Sequence, residues 1–115
     1  MASAPEDFSM SADERGGRVH VSLRGELDLA TAPEFEELLE ARLDGSHEVV
    51  VDLRALEFMD SSGIRVLVGA HARAGRLGSR LVIVRPPRTS PVAKIIEVSG
   101  LDEELNIVDD PAQAA

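Results

Sequence analysis

Val19, Val21 and Leu23 alternate with His20, Ser22 and Arg24, the period-two pattern of a strand with one buried face. Residues 8–13 precede it across Gly16-Gly17, so the two segments predict a hairpin turning at that glycine pair. Residues 25–30, Gly-Glu-Leu-Asp-Leu-Ala, read as a loop. Helical spacing takes over at Phe35, Leu38, Leu39 and Leu43. Thr31 and Glu34 stand at capping-box spacing with Pro33 in the first turn, and Gly45 ends the helix. Val49-Val50-Val51 and Leu81-Val82-Ile83-Val84 run apolar without alternation, which predicts strands over 48–53 and 81–84 buried on both faces.

A short connector after Leu53 leads into a second helix opening at Ser61 or Ser62 and burying Ile64, Leu67, Val68, His71 and Ala74. Its internal glycines, Gly69 and Gly75, each cost about 1 kcal/mol relative to alanine. They predict close approach of this helix to a sheet or, at Gly75, a break. Gly78 ends the helix, and Pro86-Pro87 forces a turn. Residues 91–98 form a third helix with Val92, Ile95 and Ile96 inward, Gly100 closes it, and 106–108 supply a short last strand. Strands alternating with helices imply right-handed parallel crossovers. The expected fold class is α/β: one mixed sheet of four or five strands, helices packed mainly on one face. Residues 1–7 and 110–115 are small, polar and rich in Pro and Ala, and read as flexible ends of a single domain over 8–109.

Composition narrows the chemistry. Phe, Trp and Tyr make up only 3% of the 115 residues, so an aliphatic core is expected, and the scarcity argues against a base-stacking platform. A net charge of −9 repels a phosphate backbone, which argues against direct nucleic-acid binding. The absence of cysteine removes disulfides, thiol nucleophiles and Cys-based zinc sites together. No apolar run reaches the ~18 residues of a membrane span, and the first residues lack the basic and apolar regions of a signal peptide. A soluble cytoplasmic protein is expected, without membrane contact. His20, His47 and His71 have no ligand spacing, so no metal or cofactor is expected, and His71 reads as a core histidine. Asp60-Ser61-Ser62-Gly63 lacks the Gly-x-Ser-x-Gly elbow of hydrolases. No catalytic set stands out, and the chain is expected not to be an enzyme.

Asp60-Ser61-Ser62-Gly63 nevertheless concentrates hydroxyls at a helix mouth. A cap alone is worth about 1 kcal/mol and does not require two serines, an aspartate and a glycine together. A helix N-terminus carries about half a positive charge, so a phosphate of about −1.5 to −2 on Ser61 is compatible with the fold. Capping and switching both stand open on these grounds. Asp28 is an ordinary loop carboxylate unless it lies beside Ser61 at one sheet edge. Glu34, Glu36, Glu37 and Glu40 form a bare acidic helix face, either solvated or half of a pairing with a basic partner.

Gly25-Glu26-Leu27-Asp28, Phe58-Met59-Asp60-Ser61-Ser62-Gly63 and Val98-Ser99-Gly100-Leu101, in this order, resemble the STAS-domain anti-sigma factor antagonists of bacteria. The resemblance spans about Val19 to Val108 and implies a STAS-type domain acting as a protein switch. In that family the unmodified antagonist binds an anti-sigma factor, a serine kinase with a histidine-kinase-like ATPase fold, and so frees a sigma factor. The kinase phosphorylates the first serine of the motif, here Ser61, and the partners separate; a metal-dependent serine phosphatase restores the active form. The resemblance places Asp28, Asp60, Ser62 and Gly63 at the phosphosite and docking surface. It departs at Arg65, where members often carry glycine; Arg65 either faces a phosphate on Ser61, four residues away, or is a surface arginine of no consequence. The competing expectation is a STAS scaffold or accessory subunit, of stressosome or transporter type, with no sigma-factor partner.

Overall fold

A computed structural model describes residues 8–114. The expected flexible segment 1–7 lies outside the described residues. The hairpin forms as the pattern predicts: β1 (Phe8–Arg15) pairs antiparallel with β2 (Arg18–Leu27), and Gly16 and Gly17 take φ of 58° and 81° in the turn. The remaining elements are α1 (Ala32–Arg42), β3 (Glu48–Met59), α2 (Ser61–Arg76), β4 (Leu81–Val84), α3 (Pro91–Val98), α4 (Leu101–Glu104) and β5 (Asn106–Val108). The chain closes on a 3-10 turn at Pro111–Ala114. Strand order is β1-β2-β3-β4-β5, with every pair after the first parallel.

All four α-helices cover one face. Val19, Val21 and Leu23 meet Val49, Val51 and Leu53 there, under Phe35 and Leu39 of α1, Leu67 of α2 and Ile96 of α3. Phe35, the one aromatic at the centre of this aliphatic core, is fully buried. The alternate residues Val50, Val82 and Val84 pack with Val108 on the opposite face. That face also carries Asp52; burial opposes its ionisation, but the hydrogen bonds from Arg54 outweigh this and hold the carboxyl below the usual aspartate range.

Several expectations change. Gly25, Glu26 and Leu27 are not a loop; β2 runs through them, and β3 runs to Met59 rather than ending at Leu53. The register shifts twice, because β3 carries an extra residue opposite Ser22/Arg24 and another opposite Gly25/Glu26. Each bulge advances the inward position by three residues instead of two, so Leu56 and Met59 follow Leu53 into the core. Gly25 takes φ 87° at the second shift. The buried stripe of α2 is Val66, Leu67, Ala70 and Ala74; Val68 is exposed, and Ile64 and His71 are only partly covered, so His71 is not a core histidine. The helix does not break at Gly75, and a Cβ added at Gly69 or Gly75 meets nothing within 4 Å. The close approach belongs to another glycine.

Candidate functional site

Register places Leu27 opposite Met59 at the carboxyl ends of β2 and β3, and the Asp60 amide donates to the Leu27 carbonyl at 3.2 Å. Asp28 and Asp60 therefore leave neighbouring strands at one edge of the sheet, where open α/β sheets present their binding crevices. Beyond Asp60 the chain turns directly into α2. Asp60 is its N-cap: the carboxylate accepts from the Ser62 amide at 2.8 Å, and the Asp60 carbonyl accepts from Gly63 and Ile64. The bland role in the motif thus falls to Asp60 and occupies neither serine. Asp60→Ala should cost about 1 kcal/mol of stability and Asp60→Asn much less, since Asn caps as well, as urea denaturation would show.

Ser61 is the first residue of α2; it is exposed, and its hydroxyl has no hydrogen-bond partner among the described residues. Ser62 is partly covered, and Gly63 is buried. A Cβ on Gly63 would sit 2.6 Å from Met59 Cγ and 2.8 Å from Leu27 Cδ2. Glycine here lets the first turn of α2 press onto the two strand ends, which sets Ser61 at the rim rather than lifting it away. Arg65 is exposed one turn further on and makes no ion pair among the described residues.

Asp28 opens the turn into α1. Its carboxylate accepts from the Ala30 and Thr31 amides at 3.0 and 3.2 Å, an Asx-type turn. The expected capping box does not form: Thr31 makes no side-chain cap, because its hydroxyl instead donates to the Glu26 carbonyl at 3.0 Å and accepts from the Asp28 amide at 2.9 Å. Tying Glu26, Asp28 and Thr31 together fixes the loop beside Ser61. Pro33 does stand in the first turn as expected.

Two residues with no assigned role emerge at this edge. Leu29, next to Asp28, is 75% exposed, and Phe58, two residues before Asp60, is 44% exposed. Phe58 is one of only three phenylalanines, and aromatic residues are enriched at protein interfaces. Its outward position follows from the second bulge, which no local pattern announces. The third motif has a structural explanation: Ser99 donates to the Ile95 carbonyl, Gly100 takes φ 77° to end α3, and Leu101 is buried.

No histidine is hydrogen-bonded to Ser61 among the described residues. His71 is ten residues along the same helix, about 15 Å at 1.5 Å per residue. His47 lies at the opposite, amino-terminal end of β3, 3.4 Å from Glu14. Among the described residues the Ser61 hydroxyl is thus accessible and is not paired with a histidine. No described helix is long and apolar enough to cross a membrane.

The family model described as "Mlab, STAS domain" matches residues 10–109. The anti-sigma-F factor antagonist RsfB of Mycobacterium tuberculosis is 30% identical over 106 residues, 91% of this chain and 84% of that protein. The anti-sigma-B factor antagonist of Staphylococcus aureus is 31% identical over 88 residues, 76% of this chain and 80% of its own length. The crystal structure of an anti-sigma factor antagonist from Mycobacterium paratuberculosis superposes with a TM-score of 0.80 at 30% identity, covering 98% of this chain and 95% of that one. With the five-stranded sheet under one layer of helices, these matches show that the chain belongs to the STAS-domain anti-sigma factor antagonist family.

Proposed function

We propose that this protein is a partner-switching regulator: unmodified, it binds an anti-sigma factor and so releases a sigma factor; phosphorylated on Ser61, it lets go. The observation that carries the assignment to Ser61 is its exposed, unpartnered hydroxyl at the head of α2. The anti-sigma factor is itself the serine kinase. In the transfer, Ser61 Oγ forms a bond to the γ-phosphorus of ATP, the bond to the ADP oxygen breaks, and the hydroxyl proton passes to a base of the kinase. This chain contributes the acceptor and its placement, and the kinase contributes the catalysis. A serine phosphatase reverses the modification.

Leu29 and Phe58 provide apolar contact beside the phosphosite, and Asp28 and Asp60 hold its flanking turns. Incubation with the cognate kinase and ATP should add one phosphate, and Ser61→Ala should abolish it. Mass mapping of that phosphate to Ser62 or any other residue would overturn the assignment.

A further inference from the structure

Arg65 is the one basic side chain in the first two turns of α2, four residues beyond Ser61. It is exposed and makes no ion pair among the described residues. Elsewhere in this acidic chain Arg15, Arg18, Arg54, Arg80, Arg85 and Arg88 each hold a carboxylate within 3.5 Å. Arg65 has none to hold on its own helix. The positions three and four residues away are Ser61, Ser62, Val68 and Gly69, and the first turn of α2 carries no acidic residue. The N-cap carboxylate of Asp60 is already engaged by the Ser62 amide.

Helix geometry sets Arg65 over Ser61. Residues four apart on a helix share a face, with Cβ atoms about 5–6 Å apart. Helical side chains lean toward the amino terminus, so a long side chain at position 65 covers the turn that begins at Ser61. An anion placed amino-terminal to a cation at this spacing is the favourable order, because each also complements the helix dipole. Unmodified Ser61 offers the guanidinium no charge to neutralise. A phosphate there would bring about −1.5 to −2 charges and three acceptor oxygens, which the forked N–H donors of arginine match in geometry.

We propose that Arg65 is a built-in counter-ion for phosphorylated Ser61, forming an ion pair along the first turn of α2 that exists only in the modified state. This rests on the assignment of the phosphate to Ser61. The pairing has a use at this edge of the sheet. Asp28 and Asp60 leave neighbouring strands here, and both carboxylates disfavour a second negative charge on a nearby phosphate. They push its second pKa, ordinarily about 6, toward neutrality, where a half-protonated phosphate would switch with less than full charge. Arg65 acts in the opposite direction and keeps the phosphate doubly charged. Because Arg65 is present in both states, the change of charge on modification is that of the phosphate alone.

Phosphoserine encoded at position 61 of the full chain tests the pairing without a kinase, and the pH dependence of its phosphorus-31 shift reads the second pKa. In Arg65→Gln that pKa should lie about 0.3 pH units or more above the value with Arg65 in place, the size expected of an exposed pair. Arg65→Lys should recover part of the difference, and about 1 M salt should shrink it. Arg76→Gln removes the same charge from the far end of α2, about 22 Å along the helix, and should leave the pKa where it was. An Arg65→Gln value equal to that of the parent chain overturns the pairing. So does an equal shift in Arg76→Gln, which would mean that net charge alone is being read. Kinase labelling that maps to a residue other than Ser61 removes the reading beneath the proposal, whatever the phosphorus-31 values show, so the two failures are told apart.

Discussion

Gly63→Ala should destabilise the domain by about 1–3 kcal/mol, the usual cost of forcing a methyl into a filled space. Alanine gains helix propensity of at most about 1 kcal/mol over glycine, and less in a first turn, so overpacking wins. The reason is local. The new Cβ would lie 2.6 Å from Met59 Cγ and 2.8 Å from Leu27 Cδ2, and both side chains are themselves buried with little room to retreat. Gly63→Val adds two more carbons to the same space and should cost more. In a chain of this length each kcal/mol moves Tm by roughly 4 °C, so the alanine variant should melt well below the wild type. Its phosphate acceptance should fall as well, because the strain is relieved by lifting α2, and Ser61 with it, off the strand ends. A Gly63→Ala protein as stable as the wild type would mean that Leu27 and Met59 yield freely, and would remove the packing account of this glycine.

Ser61→Asp should lower affinity for the anti-sigma factor by at least about tenfold, or about 1.4 kcal/mol, while leaving the fold intact. The two halves of the expectation have separate causes. An acidic group at the first residue of α2 faces the positive end of the helix dipole, which stabilises it by about 0.3–1 kcal/mol. Its own fold therefore accepts the charge. A partner that docks over Leu29 and Phe58, as proposed, must bury or face that charge close to Asp28 and Asp60. A phosphate carries about −1.5 to −2 charges, so it should act in the same direction and more strongly than aspartate. Calorimetric titration of the anti-sigma factor with each form reads the difference. Equal affinities for wild type and Ser61→Asp would reject charge as the basis of the switch, even if Ser61 proves to be the phosphorylated residue.

Most of the architecture was legible wherever an element's own residues decide it. The period-two run at 19–23, the glycine pair before it and the unbroken apolar runs at 49–51 and 81–84 each specify a strand by burial pattern alone. The opening of α2 at Ser61 was likewise visible. Each misplacement turns on a contact with another element. The bulges in β3 turn a period of two into a period of three beyond Leu53, which reads as the end of a strand when its partner is unseen. The α2 stripe slipped by a residue because Val68 and Val66 are equally apolar, and only the sheet beneath decides which points down. Thr31 and Glu34 match a capping box in type and spacing, yet the end of β2, laid against the bulged β3, brings the Glu26 carbonyl within reach and takes the threonine hydroxyl first.

By itself, then, the chain determines an aliphatic α/β domain with a serine pair opening a helix. Those features rest on side-chain polarity, turn residues and spacing over a few positions. The tertiary structure alone decided that Asp28 and Asp60 share a sheet edge, that Asp60 takes the cap and leaves the Ser61 hydroxyl unbound, and that Gly63 is the point of close packing. Apart from the Asp60 cap and the Met59 contact of Gly63, which are local, these are relations between residues about thirty or more positions apart, set by strand register and helix docking, and no local pattern encodes a distance across the sheet.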